Sequence, residues 1–287
     1  MSLPFYIVDV FADKKYAGNQ LAVFLDAGHL SSEEMQQIAR EINFAESTFI
    51  TKLDKENNSA EIRIFTPGQE MQFAGHPIIG TSWVLINKIF ENAPENITLN
   101  VPIGKIPIHQ SEDLIWLKAA QPKFWDIFSK IDLTLISNLK IEDFENQFPI
   151  QEITTGSAFV MIPLSSKRAL ENLVLDKDKA DQWMKNNCKT DHRGLYFYYL
   201  EGSKLFSRLM YIENNVLLED AATGSASTCL QASLLKYHKP EIELINYQGD
   251  YMGRPSQIYF RGKLNENDFD IKIGGKAQFV AKGEWEA

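Results

Sequence analysis

Apolar and polar residues alternate with a period of two in "AEIRIF", "YFYYL", "KLFSRLMYI", "SQIYFRG" and "FDIKIGG". Aromatic and β-branched residues fill these runs, and Gly, Pro, Asn or Asp brackets most of them. They predict strands, mostly antiparallel with one face in water. A longer period marks "SSEEMQQIAREI" (31–42), where Met35, Ile38, Ala39 and Ile42 fall on one side behind an opening Ser and Glu. That pattern predicts a capped amphipathic surface helix. Two segments follow neither rule: "PIIGTSWVLINKI" (77–89) and "GSASTCLQASLLKY" (224–237) are apolar or small nearly all the way round. No side of such a helix suits water, so each predicts a helix walled in by strands.

The two halves echo each other. Arg63 precedes Gly75 by twelve positions and Arg208 precedes Asp220 by twelve. At that offset "RIFTPGQEMQFAGHPIIGTSWVL" lies over "RLMYIENNVLLEDAATGSASTCL", strand on strand and enclosed helix on enclosed helix. A duplicated strand-turn-helix unit accounts for two such unusual helices. The expected fold is α+β: two pseudo-symmetric domains, each a curved, mostly antiparallel sheet wrapped around a central helix. The expected halves are 1–118 and 119–274, with the segment 275–287 returning to the first.

Composition narrows the function. Hydrophobic content of 44% with 23% charged residues fits a folded globular chain. With 29 basic against 38 acidic residues the formal charge is −9, which excludes nucleic acid as a natural partner. The N-terminus lacks a basic start and Asp9 interrupts its apolar run, so neither a signal peptide nor a membrane span is expected, and the location expected is the cytoplasm. Cys188 and Cys229 form no paired motif, and His29, His76, His109, His192 and His238 are scattered. No metal site is expected.

Chemistry concentrates where the enclosed helices begin. A helix N-terminus offers unpaired N–H groups and partial positive charge, worth up to ~2 kcal/mol to an anion. The first helix opens on Gly75-His76 and the second on Thr223-Gly224-Ser225. Asp220, Thr223 and Ser225 are each good capping residues, and an ordinary cap accounts for one of them; three candidates plus Glu219 exceed that need. His76 next to a helix N-terminus is expected neutral and able to relay a proton. A lone histidine on an apolar run is otherwise a core residue. Glu46, between Phe44-Ala45 and Ser47, is by default a loop acid in solvent, but enclosed by those neighbours it becomes a candidate general acid/base. "GHPIIGTS" lacks the Lys-Ser/Thr pair of a phosphate loop, and "TGSASTC" lacks the second glycine of a nucleophile elbow.

In order along the chain, "VDVFADKKYAGNQLAVFL", "AREINFAESTFI", "RIFTPGQEMQFAGHPIIGT", "EDAATGSAS" and "QGDYMGRPS" resemble the successive motifs of the PhzF-like isomerases of phenazine biosynthesis. The resemblance implies the diaminopimelate epimerase fold, with the active site in the interdomain cleft. It implies a homodimer, no cofactor and no metal, and a proton-shift isomerisation of a cyclic, carboxylate-bearing small molecule. Carried over by motif, the acid/base is Glu46, its helpers are His76 and Asp220, and backbone groups of Gly75, Gly224 and Ser225 hold the substrate carboxylate. The chain departs from the family pattern at Ala221, where Pro is usual, and at Ala45, where Ser or Asn is frequent. The epimerase itself needs a cysteine at each helix mouth; here Ala74-Gly75-His76 and Asp220-Ala221-Ala222 stand there, and Cys229 lies inside its helix as a core residue. The alternatives are a carboxylate-binding protein without turnover and a racemase without cysteine bases.

Overall fold

The computed structural model describes residues 2–190 and 194–286, so that His192 lies outside the described residues. The chain forms two units, Met1–Lys118 with Gly274–Ala287, and Ala119–Ile273. The first contains helices α1 (Ser32–Ile42) and α2 (Gly75–Val84). The second contains α3 (Lys130–Ile136), α4 (Lys167–Glu171), α5 (Lys177–Asn187) and α6 (Gly224–Tyr237). No helix among the described residues is long and apolar enough to cross a membrane.

The first unit is built around α2. Strand Ser2–Val10 pairs antiparallel with Asn19–Phe24, which runs parallel to Glu46–Asp54. That strand pairs antiparallel with Ser59–Phe65, which pairs parallel with Asn96–Val101 and antiparallel with the short Glu70–Met71. The C-terminal strand Ala277–Glu286 pairs antiparallel with Ser2–Val10. Every α2 residue except Trp83 is buried against this wall. Gly80 marks the closest approach: a Cβ there would sit 2.6 Å from side-chain carbons of both Leu21 and Val10. Beyond Val84 the helix widens into a π-type turn, Leu85–Ile89, before the chain leaves it. On the outside, α1 has a Ser31/Glu34 capping box and buries Met35, Ile38 and Ala39 beside Phe24 and Phe49, as its apolar period requires.

The second unit repeats the pairing scheme. Ile150–Thr154 is antiparallel to Ala158–Pro163, which is parallel to Gly194–Glu201, itself antiparallel to Lys204–Glu213. Lys204–Glu213 in turn pairs parallel with Glu241–Gln248 and antiparallel with Val216–Asp220. Within this wall α6 buries all but Ser225, Lys236 and Tyr237.

The register of the internal repeat needs correcting. Glu70 lies opposite Phe65, two residues past Arg63, and Glu219 lies opposite Met210, two past Arg208. The hairpin that separates these partners is four residues longer in the second unit. The single offset that lays Arg63 over Arg208 therefore holds along the strands and slips by four at the turn. Gly75 corresponds to Gly224, the first residue of each buried helix, and Asp220 corresponds to Met71. Hairpin tips tolerate insertion because their backbone faces water.

One expectation about the sheet also changes. Leu195–Tyr198 is buried on both faces instead of having one in solvent. Leu195 and Phe197 pack outward against Ala169, Leu170, Ala180 and Met184 of α4 and α5, while Tyr196 points at Ser227 of α6. Helices α3, α4 and α5 were not predicted. α5, "KDKADQWMKNN", buries only Ala180 and Met184 fully, too narrow a stripe to show in the pattern.

Candidate functional site

The mouth of α2 is assembled from two strands and the helix itself. Glu46 is the first residue of its strand, opposite Leu21 across the parallel pair, and its side chain is 18% exposed. Its Oε2 lies 3.5 Å from Nδ1 of His76, the second residue of α2. The Asn19 amide nitrogen lies 3.5 Å from the same Nδ1. His76 is enclosed, and its Nε2 is buried without a hydrogen-bond partner among the described residues. Burial pushes the imidazole down to about 3, opposed in part by the Gln20 backbone. A carboxylate alongside pulls upward as well, but full enclosure at the positive end of a helix dominates, so the ring is neutral at physiological pH. The Glu46–His76 contact is therefore not an ion pair.

A neutral ring in this position has two proton arrangements. Nδ1–H can donate to Glu46 Oε2, or the ring proton sits on Nε2 and Nδ1 accepts from the Asn19 amide or from a protonated Glu46. Separations of 3.5 Å are long for hydrogen bonds, as unliganded acid/base pairs frequently are. Ala74, the residue that caps α2, offers no side-chain hydrogen bond, and Pro77 at the third position has no N–H. This mouth thus presents the Gly75 and His76 backbone together with the His76 imidazole, the Glu46 carboxyl and the Asn19 amide.

The mouth of α6 differs. Thr223 occupies the capping position, yet its side chain makes no cap hydrogen bond. Its hydroxyl instead donates to Asp220 Oδ2 at 2.6 Å. Thr223 therefore does not cap the helix in the ordinary sense, although the first N–H groups of Gly224 and Ser225 follow directly behind it. Ser225, half-buried, is the second helical residue, and its carbonyl accepts from Thr228. Gln248 reaches in from its strand: Nε2 donates to the Asp220 carbonyl and to Thr223 Oγ1, both at 2.9 Å, and Oε1 accepts from the Thr223 N–H at 3.2 Å.

Sequence-predicted residues thus gather in two groups: Glu46, Gly75 and His76 in the first unit, and Asp220, Thr223, Gly224 and Ser225 in the second. Sequence reading missed Asn19 and Gln248. Both adjoin turn glycines, Gly18 and Gly249, that require positive φ, and those turns drew attention away from the amides beside them. At Gly249 a Cβ would lie 2.5 Å from the Ala221 carbonyl oxygen, so this turn packs directly on the segment that carries Asp220. Cys229 is fully buried and its thiol is pushed up to about 12 by burial, which leaves it no thiolate at neutral pH. Among the described residues no group of three or more His, Cys, Asp or Glu side chains could hold a metal ion.

The family described as "Phenazine biosynthesis-like protein" matches residues 8–283. An uncharacterized isomerase of Pasteurella multocida is 29% identical, covering 98% of this chain and 93% of the relative. The trans-2,3-dihydro-3-hydroxyanthranilate isomerase of Pseudomonas aeruginosa is 30% identical over 97% of this chain and 98% of the relative. The crystal structure of the Bacillus anthracis phenazine biosynthesis protein of the PhzF family superposes with a TM-score of 0.89 at 25% identity, covering 100% of both chains.

Proposed function

The chain belongs to the family of phenazine biosynthesis-like proteins and is an isomerase, and on that premise we propose that it shifts a proton within a small, cyclic, carboxylate-bearing metabolite by general acid/base catalysis without a cofactor. The observation that carries the reading is the contact between Glu46 Oε2 and an enclosed, neutral His76 at an uncapped helix mouth. Glu46 removes a proton from carbon and returns it to another carbon of the same molecule, so the composition of the substrate is unchanged. His76 holds or relays the proton through Nδ1, and Asp220 is the second helper. The substrate carboxylate docks on N–H groups of Gly75, Gly224 and Ser225, with Thr223 at the edge, through charge-assisted hydrogen bonds of ~1.5–3 kcal/mol each.

The test uses trans-2,3-dihydro-3-hydroxyanthranilate, the compound named for the Pseudomonas aeruginosa relative, together with a panel of cyclic and aromatic carboxylic acids, followed by NMR in heavy water. Incorporation of solvent deuterium into at least one acid supports the reading. Glu46→Gln is expected to keep the fold and ligand binding and to abolish that incorporation; exchange retained in the variant removes Glu46 from the mechanism. Acids that raise the melting temperature without ever exchanging would point to binding without turnover.

A further inference from the structure

A buried chain of polar side chains runs through the second unit to the mouth of α6. Asn246 Nδ2 donates to the Tyr196 phenol at 2.7 Å, and the Ser207 hydroxyl donates to Asn246 Oδ1 at 2.9 Å. With the phenol oxygen accepting from Asn246, its own proton is directed to Gln248 Oε1 at 2.9 Å. Gln248 Oε1 also receives the Thr223 N–H, so two donors converge on it. A flipped amide would point its NH₂ at both donors, which sets its orientation. The NH₂ group must then face the Asp220 carbonyl and Thr223 Oγ1. Because Thr223 Oγ1 accepts from Gln248, its single proton is committed to Asp220 Oδ2. Gln248, Tyr196, Ser207 and Asn246 are all almost wholly buried.

We propose that Gln248 is a positioning residue: by fixing the Thr223 hydroxyl as a donor it keeps a permanent hydrogen bond on Asp220 Oδ2 and holds that carboxylate ionised and aimed. The proposal rests on the reading of Asp220 as a helper in the proton shift. Its polarity follows from donor and acceptor counting alone, since an amide is the one neutral side chain that accepts from two donors at one end and donates twice at the other. The Tyr196 phenol feels the charge of this carboxylate, while Glu219, the preceding residue of the strand, is engaged by a two-point contact with Arg208.

Two measurements on the full chain separate this proposal from the function it serves. In protein carrying carbon-13 at the aspartate carboxyls, with the Asp220 signal identified by Asp220→Asn, Gln248→Leu should raise the titration midpoint of Asp220 by about one unit, because a hydrogen bond to the ionised form is lost. With trans-2,3-dihydro-3-hydroxyanthranilate as probe, the same variant should lower kcat by about tenfold or more and leave KM nearly unchanged, with the acid limb of the pH–kcat profile moved upward to match. If Gln248→Leu does not fold, Thr223→Val and Thr223→Ser replace it: Val should reproduce the shift and Ser should restore the wild-type midpoint. A folded variant with the wild-type Asp220 midpoint overturns the proposal. Wild-type protein that shows the expected titration but no turnover leaves the positioning role standing and counts against the proposed function instead.

Discussion

At the mouth of α2 a desolvated imidazole faces a carboxyl beside an amide, whereas at the mouth of α6 a carboxylate accepts from a hydroxyl at the end of a buried hydrogen-bond chain. The backbones beneath them correspond closely. Each has an Arg clamping the Glu two pairs along, Arg63–Glu70 and Arg208–Glu219, and each Glu precedes the helix by five residues. Yet Glu46 corresponds to Gly194 in the second unit, and Asp220 to Met71 in the first. A duplicated scaffold thus supplies two similar openings, and unlike substitutions have furnished one with an enclosed imidazole against a carboxyl and the other with a carboxylate that accepts from a hydroxyl. An under-satisfied buried group retains freedom to exchange its partner; a fully satisfied network rigidifies.

The largest expected effect breaks the contrast at its mobile end. Glu46→Gln should cost ~10²–10⁴-fold in substrate deuterium exchange, measured by NMR, with little change in melting temperature. Next is a stability effect peculiar to the first unit. His76 has a folded value of about 3 against an unfolded value near 6.5, so between these pH values the unfolded chain binds more protons. Its contribution is therefore complete above about pH 6.5 and is lost progressively as pH falls toward 3, on the order of several kcal/mol in all. Urea unfolding of His76→Gln across that window should show a flatter pH dependence, while Ser225→Ala, at the corresponding position, should leave the dependence as it is.

The two clamps give a smaller, graded comparison. Arg208 and Glu219 side chains are 10% and 14% exposed, and Arg208 also donates to the carbonyls of Leu170 and Leu173. Arg208→Ala should cost about 3–5 kcal/mol by leaving a buried carboxylate unpaired. Arg63 and Glu70 are 26% and 29% exposed, and Arg63→Ala should cost about 1 kcal/mol. Equal losses in denaturant titrations would mean that the two units are more alike than their burial suggests. Similarly small is Ser31→Ala, which removes the α1 capping box and should cost about 1 kcal/mol without touching exchange.

Much of this was legible in the sequence where information is local. The bounds of α6 and the cap of α1 follow from neighbours three or four residues apart, and the all-round apolar character of α2 and α6 could only mean enclosure. α5 escaped because a surface helix can bury as few as two residues fully, leaving almost no periodic trace. The repeat was readable, but its register was not, since a four-residue difference in a hairpin costs little free energy and leaves no mark on either side of it. Asn19, Tyr196, Asn246 and Gln248 were unreadable for another reason. Each is a single polar residue on or beside a strand, and what makes it matter is a partner tens of residues away.

The sequence by itself determined that two enclosed helices exist, where each begins, and that His76 and Asp220 lie beside those beginnings, because helix starts and apolar periodicity are set by interactions within a few residues. Tertiary structure alone decided that His76 is stripped of water beside Glu46, that Thr223 turns from capping its helix to holding Asp220, and that Gln248 directs it. Desolvation and hydrogen-bond polarity depend on everything that surrounds a group, and most of what surrounds these groups comes from distant parts of the chain.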